Sequence, residues 1–193
     1  MAKLAKIMIA GEGGQGIQAV AEILAEAAYE EGKHVLYIPN FGVEQRGGVS
    51  VAFLQIGDEP IGSPKFEIAD IIVALSERAV GRTRQYVGAP TVFVYDTMVA
   101  TGKVELPTGA AKVLAIPGVE TAKKELHPRV FNVMIMGAVI EATKVVSPEN
   151  AKKAIEKRLG YKFEQDPKLR ELNYRAIERG MELVGEVLRG GQG

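Results

Sequence analysis

The sequence predicts an open α/β fold whose sheet is mainly parallel and carries helices on both faces. Through residue 117, apolar runs of strand length alternate with amphipathic segments of helix length. A glycine-rich turn, GEGGQG at 11–16, joins the first run to the first helix. Most of the runs are apolar at every position, which is typical of parallel strands covered on both faces. Together these observations indicate a Rossmann-like sheet followed by a helical C-terminal third.

Six segments have the length and composition of β-strands. They are residues 4–10, 34–38, 49–56, 71–75, 92–96 and 112–116. The first two flank a helical segment, so we expect a parallel strand–helix–strand unit. The turn-forming sequences GDEP and IGSP follow the third strand, which indicates a hairpin at one edge of the sheet.

The helices follow from apolar spacing and from terminal residues. The first is expected to begin near Gly14 and to end at Gly32, with Glu22, Glu26 and Glu30 on a solvated face. Further helical segments are PGVETAKKEL, FNVMIMGAVIEATKVV, SPENAKKAIEKRLG and a long last helix from about residue 166. We expect a single domain over 1–193, with a βα core at 1–117, packed helices at 118–189 and a flexible tail at 190–193.

Composition excludes several classes of function. Lys plus Arg and Asp plus Glu both total 24, so the chain lacks the basic excess that nucleic-acid binding needs. There is no cysteine, so the chain has no thiolate for an iron–sulfur cluster and no thiol nucleophile. Its apolar runs are too short for a signal peptide or a membrane span, which predicts a cytoplasmic protein.

The glycine-rich turn leaves three interpretations open. Gly11, Gly13 and Gly16 match the dinucleotide fingerprint, and backbone amides at a helix N-terminus favour anions. A usual NAD site also needs a carboxylate at the end of the second strand, where this chain has Pro39 and Asn40. The turn therefore binds another anion or a partner subunit, serves packing alone, or, despite the missing carboxylate, forms a classical dinucleotide site.

A second loop, NFGVEQRGGVS at 40–50, follows the second strand. If the first two strands are adjacent and parallel, both loops lie at the carboxyl edge of the sheet. The Arg46 guanidinium beside Gly47 and Gly48 is suited to a phosphate or carboxylate, and Glu44 is placed to orient it. The alternative is a surface turn with an incidental ion pair, which contributes little to stability.

These residues together resemble a known family. In order, the matching segments are GEGGQGIQAVAEILAEAA, FGVEQRGG, EPIGSP, ADIIVALSERAV, FNVMIMGAV and LNYRAIERG. Over nearly its whole length the chain resembles the gamma subunit of 2-oxoacid:ferredoxin oxidoreductases, which include the pyruvate, 2-oxoglutarate, 2-oxoisovalerate and indolepyruvate enzymes. The pairing of GxGGQG with EQRGG is far more specific than either motif alone.

The resemblance implies a reaction that this chain does not perform alone. Enzymes of the family decarboxylate a 2-oxoacid on thiamine diphosphate, reduce ferredoxin through iron–sulfur clusters and transfer the acyl group to coenzyme A. The chain has neither cysteines nor a GDG-type thiamine motif, so both cofactors are expected on partners, a thiamine-binding catalytic subunit and a ferredoxin-like subunit. This chain would contact ferredoxin only indirectly. Coenzyme A is the ligand that it is expected to share with its partner subunits. The isolated chain is expected to be able to form a homodimer.

The resemblance also carries over functional positions. They are Gly11, Gly13, Gly14, Gln15, Gly16, Glu44, Gln45, Arg46, Gly47 and Gly48. Gln15 is expected to offer its amide to the ligand or a partner, while no residue of the chain is expected to be catalytic. Val43 departs from the proline that many relatives have there.

Several other polar residues have a simpler structural interpretation. Asn132 and Asn173 match recurring asparagines of the family, and we interpret both as amides that satisfy backbone groups. Asp96 ends a strand and is expected to cap the next turn. His34 and His127 lack metal-ligand spacing, so we assign them structural or exposed roles and predict no metal site. The rival functions are a stand-alone nucleotide or flavin oxidoreductase and a purely structural subunit.

Overall fold

A computed structural model describes residues 4–41, 48–101 and 104–190 of the chain. The strands are β1 (Ala5–Glu12), β2 (His34–Asn40), β3 (Val49–Gly57), β4 (Ile71–Ala74), β5 (Val92–Asp96) and β6 (Lys112–Ile116). The helices are α1 (Ile17–Glu30), α2 (Glu77–Thr83), α3 (Gly118–Glu125), α4 (Phe131–Thr143), α5 (Pro148–Gln165) and α6 (Pro167–Gly190). All six predicted strands are therefore present, and their bounds differ from the predicted ones by at most two residues.

The strands form one sheet in the order β2-β3-β1-β4-β5-β6. The pairs β1–β4, β4–β5 and β5–β6 are parallel, whereas β3 runs antiparallel to both of its neighbours. The prediction of an open, mainly parallel α/β sheet is confirmed.

The position of β3 corrects two predictions. The edge hairpin exists, but β3 pairs with the preceding strand β2, and the turns after β3 lead towards β4. The strands β1 and β2 run in the same direction but are not adjacent, because β3 lies between them. Residues 51–54 of β3 are apolar on both faces, and Val51, Ala52 and Leu54 are buried, as an interior strand requires.

The sheet is covered on both of its faces, as predicted. One core contains Ile7, Ile9 and Leu54 together with apolar residues of α1, α4, α5 and α6. The smaller core on the opposite face contains Met8 and Phe93, covered by α2 and by the segment that precedes β4. The larger core includes residues from both the βα part and the C-terminal helices, so these parts share buried apolar surface.

Helices α4 and α6 approach each other closely. The middle of α4 is apolar on every side, and its residues 133–140 are all buried. A Cβ added at Gly137 would overlap the backbone carbonyl of Ile177, and one added at Gly180 would overlap the carbonyl of Met134. The two backbones therefore touch at a contact that only glycine permits.

The acidic face of α1 differs from the prediction. Its carboxylates remain partly exposed, but they pair with α5: Glu22 with Arg158 at 2.5 Å, and both Glu26 and Glu30 with Lys157. Partly exposed pairs of this kind add little stability individually.

Helix α5 also runs beyond its predicted end at Gly160. It continues to Gln165 because Phe163 is fully buried against the core, and Asp166 then separates it from Pro167, the first residue of α6. The predicted tail lies outside the described residues from 191 onward. In the described part of the chain, no helix is long and apolar enough to cross a membrane.

Candidate functional site

The carboxyl ends of β1 and β2 lie level with each other. Ala10 of β1 and Asn40 of β2 both pair with Val51 of β3, from opposite sides. Two strand spacings separate them, or about 10 Å. The loops that follow these strands therefore start from one edge of the sheet, as predicted, although the strands are not adjacent.

The second loop returns to the sheet beside the glycine loop. Gly48 directly precedes Val49, which pairs with Glu12. Residues 42–47 lie outside the described residues, and the predicted site residues among them are Glu44, Gln45, Arg46 and Gly47. Their roles stay predictions.

The tip of the glycine loop is open. Gly13 and Gly14 are exposed, and a Cβ added to either would meet no atom of the described residues within 4 Å. Gly14 has φ +93°, which side chains rarely adopt, so its backbone conformation explains the glycine. Gly13 has no such conformation, so neither strain nor crowding within the described chain accounts for its lack of a side chain.

The base of the loop is packed against neighbouring side chains. A Cβ at Gly11 would lie 2.9 Å from Ile17 Cδ1. Gly16 has φ +72°, and a Cβ there would lie 2.7 Å from Asn132 Nδ2. Asn132 is in the first turn of α4, and its Oδ1 accepts from the Val133 amide at 3.0 Å. Asn132 therefore satisfies a backbone group, as predicted, and also forms a wall of the glycine loop.

Gln15 stabilises the glycine loop by hydrogen bonds to the backbone. Its Oε1 accepts a hydrogen bond from the Glu12 amide at 2.7 Å, and its Nε2 donates to the Leu75 carbonyl at 3.0 Å. The backbone amide of Gln15 also donates to the Glu12 carbonyl at 3.2 Å. The bond to Leu75 joins the loop to the end of β4, and the two bonds to Glu12 close the loop on itself. Contact between Gln15 and a ligand stays a prediction.

The N-terminus of α1 has the electrostatics of an anion site. Gly16 occupies the cap position without a capping side chain, and the first turn carries no acidic residue. The first bond of the helix runs from the Val20 amide to the Gly16 carbonyl at 3.1 Å, so the preceding helical amides have no intrahelical acceptor. Amides without an intrahelical acceptor and the helix dipole together favour a negative group at this point.

Asp96, at the end of β5 on the same edge, has a structural role. It is 1% exposed, and its carboxylate accepts from the amides of Met98 at 2.9 Å and Val119 at 2.8 Å. Burial raises the pKa of the Asp96 carboxyl, and these amide hydrogen bonds act in the opposite direction. The predicted capping role is confirmed.

Asn173, His127 and His34, the other polar residues considered from the sequence, either bond to the backbone or are exposed. Asn173 is buried and donates from Nδ2 to the Leu169 carbonyl at 2.7 Å, as predicted. The His127 ring accepts from the Arg129 amide at 3.1 Å, while His34 is exposed. Within residues 4–41, 48–101 and 104–190, no cluster of three or more potential ligands is placed to hold a metal ion. Without cysteine, the donor set of the chain does not fit an iron–sulfur cluster.

Sequence reasoning missed one residue at this edge. Gln18, in the first turn of α1, bonds to residues that are 32 and 33 positions away in β3 and 19 positions away in β2. No local motif marks such a residue, because its partners become neighbours only when the sheet forms.

An open α/β sheet with a glycine loop at the N-terminus of its first helix defines a class of anion- and cofactor-binding proteins. Comparison with known proteins identifies the family within this class. The family model described as "Pyruvate ferredoxin/flavodoxin oxidoreductase" matches residues 6–183. The chain belongs to this family, as the resemblance predicted.

Individual relatives agree with this assignment. The chain is 32% identical to the pyruvate synthase subunit PorC of Thermotoga maritima, over 90% of this chain and 91% of PorC. It is 30% identical to the ketoisovalerate oxidoreductase subunit VorA of Methanothermobacter thermautotrophicus, over 96% of this chain. The chain spans only 37% of the length of VorA.

Solved structures show the same fold. The gamma subunit of a keto/oxoacid ferredoxin oxidoreductase from Geobacter sulfurreducens superposes with a TM-score of 0.76 at 30% identity, over 93% of this chain and 98% of that one. The 2-oxoglutarate:ferredoxin oxidoreductase of Magnetococcus marinus, with 2-oxoglutarate, coenzyme A and succinyl-CoA bound, gives 0.82 at 25% identity. That match covers 95% of this chain and 31% of the Magnetococcus chain.

Proposed function

We propose that this chain is the accessory gamma subunit of a multi-subunit 2-oxoacid:ferredoxin oxidoreductase, and that its glycine-loop edge helps to seat coenzyme A or the oxoacid. The observation that carries the proposal is the open loop tip at Gly13 and Gly14, next to the uncapped N-terminus of α1. Relatives of the same length are subunits of pyruvate and 2-oxoglutarate synthases, which supports the assignment to such a complex.

The chemistry of both ligands suits this edge. Coenzyme A carries phosphate groups and a 2-oxoacid carries a carboxylate, and backbone amides at a helix N-terminus bind either kind of anion. A glycine at position 13 lets such a group approach the backbone directly. The Arg46 guanidinium would add a charged fork from the second loop, which begins and ends at the same edge.

Other subunits must supply the redox chemistry. The chain has no cysteine, so iron–sulfur clusters would be held by a ferredoxin-like subunit, and thiamine diphosphate by catalytic subunits. The alternative of a stand-alone NAD enzyme is less well supported. Asn40 stands where the ribose-binding carboxylate would be needed, and β3 separates β2 from β1.

The direct test of this proposal is reconstitution. The chain should be purified without oxygen together with thiamine-binding and ferredoxin-like partners, and the complex assayed on a panel of 2-oxoacids with coenzyme A and ferredoxin. We expect turnover by the complex and none by the isolated chain. Turnover of an oxoacid by the pure chain would contradict the proposal.

Arg46→Ala should weaken ligand binding in the assembled enzyme. The loss of a charge-assisted hydrogen bond predicts a rise of about 10-fold in KM for coenzyme A or for the oxoacid. Steady-state kinetics measure this value, and Arg175→Ala, which removes an exposed arginine of α6, serves as the control. Unchanged kinetics in a fully assembled Arg46→Ala complex would remove Arg46 from the site.

A further inference from the structure

A polar network joins α1 to the β2–β3 hairpin beneath the glycine loop. Gln18 Nε2 donates to Ser50 Oγ at 2.7 Å and to the Val51 carbonyl at 3.1 Å. Tyr37 donates from its hydroxyl to Gln18 Oε1 at 2.6 Å. The side chain of Gln18 therefore bonds to both strands of the hairpin, to β3 in the interior of the sheet and to β2 at its edge.

The chemistry of the partners allows only one orientation of the Gln18 amide. The Val51 carbonyl can only accept, so the amide nitrogen must face β3, and the oxygen then faces Tyr37. Burial is the main cause that raises the pKa of Tyr37, with a further contribution from Glu22. The hydroxyl therefore stays protonated at neutral pH and remains a donor to Gln18.

The network lies at the base of both loops. Gln18 is two residues beyond Gly16, in the first turn of α1. Ser50 pairs with Gly11 at the start of the glycine loop. Val51 pairs on its other side with Asn40, the last residue of β2, where the second loop begins. The bonds of Gln18 therefore link three backbone segments, each of which leads into one of the two loops.

We propose that Gln18 is a positioning residue that fixes the first turn of α1 relative to strands β2 and β3, and through that turn sets the affinity for the shared ligand. This inference rests on the proposed function and deepens it. Gln18 does not touch the ligand. It holds the first turn of α1, whose amides have no intrahelical acceptor, at a fixed distance from strands β2 and β3.

Gln18 can hold this position because its hydrogen bonds would be lost if α1 moved. A half-buried amide with all of these partners resists sliding of α1 along the hairpin, because displacement would leave polar groups without partners. Without the amide, α1 would still pack on β2 and β3 through its apolar face. Loss of the network should therefore disturb the position of the first turn of α1 more than overall stability.

The test uses two variants and a matched control in the reconstituted complex. Tyr37→Phe removes one hydroxyl bond to Gln18, whereas Tyr174→Phe removes a comparable bond of 2.7 Å to Glu156 at the α5–α6 contact. We expect Tyr37→Phe to raise KM for coenzyme A about 5-fold and Gln18→Leu about 10-fold or more, with kcat within about 2-fold of wild type. Tyr174→Phe should leave KM unchanged.

A double variant tests whether Tyr37 acts through Gln18. If it does, Gln18→Leu combined with Tyr37→Phe should have the same KM as Gln18→Leu alone. Tyr37→Phe keeps the test decisive if Gln18→Leu does not assemble, since it deletes a single oxygen atom. Wild-type KM values in both single variants, or an equal rise in Tyr174→Phe, would overturn the inference.

A glycine-loop variant separates this inference from the proposed function. If Gly13→Val raises KM for coenzyme A and the Gln18 and Tyr37 variants do not, the loop binds ligand and Gln18 has only a structural role. If Gly13→Val also leaves KM for coenzyme A and for the oxoacid unchanged, the proposed role of this edge fails, and with it the positioning role of Gln18.

Discussion

Replacing Gly180 with alanine is expected to destabilise the chain by about 3 kcal/mol, as overpacking of a close backbone contact does. A Cβ at this position would overlap the Met134 carbonyl oxygen and lie 2.8 Å from its carbonyl carbon. Both atoms belong to the backbone of α4, so no side-chain rotation relieves the clash. The helices would have to separate, which would open the core that they share with the sheet.

Helix propensity alone predicts the opposite sign. Alanine is favoured over glycine inside a helix by about 1 kcal/mol. The steric term is larger, so it determines the outcome at Gly180. At Gly160 in α5 the steric term is absent, because the nearest atom to a Cβ there is Glu156 Oε2 at 3.8 Å.

Gly160→Ala is therefore the matched control for Gly180→Ala. We expect the Gly160 variant to equal or slightly exceed wild type in a urea unfolding experiment, while the Gly180 variant unfolds at clearly lower urea. Gly137→Ala should behave like Gly180→Ala, since its Cβ would lie 2.9 Å from the Ile177 carbonyl carbon. A Gly180 variant as stable as wild type would contradict the close approach of α4 and α6.

Gly13→Val is expected to have the largest effect on function with little effect on the fold. The position is exposed, has no positive φ, and a Cβ there would meet no atom within 4 Å in the described part of the chain. A side chain would instead stand where a ligand approaches the loop amides. We expect KM for coenzyme A or for the oxoacid to rise about 10-fold or more, which corresponds to the loss of a charge-assisted hydrogen bond.

The control for Gly13→Val is Gly62→Val. Gly62 is also exposed, has no positive φ and has the same free space around its Cβ position, but it lies in the segment between β3 and β4. Both variants should melt close to wild type in thermal unfolding, and only the Gly13 variant should change the kinetics. Equal KM values for the two variants and wild type would show that nothing approaches the loop at Gly13.

Much of the fold was predictable because it is encoded locally. The apolar runs give the strands, and Gly32, with φ +75°, is found just past the end of α1, where helix-ending chemistry predicts it. The order of the strands in the sheet was harder to predict from the sequence. The turn-forming residues after β3 suggested a hairpin at the sheet edge, but β3 lies between β2 and β1, so β1 and β2 were wrongly expected to be adjacent.

The candidate site was also only partly predictable from the sequence. The glycine positions and Asn132 could be named from sequence, since they belong to motifs of the family. Their separate roles could not be predicted, because Gly16 is confined by Asn132 of α4, whereas no described residue lies within 4 Å of a Cβ at Gly13. Gln18 has no motif, and its role depends on strand pairing that brings Ser50 and Tyr37 to it.

A structure of the reconstituted complex with coenzyme A bound would test the ligand-binding role of this edge. The quantity to measure is the distance from the backbone amides of residues 13–17 to the nearest oxygen of coenzyme A or of the oxoacid. We expect at least one such distance within hydrogen-bond range, roughly 3 Å. If those amides instead contact only partner subunits or solvent while coenzyme A is bound elsewhere, the glycine loop is an assembly contact and its proposed role in ligand binding is wrong.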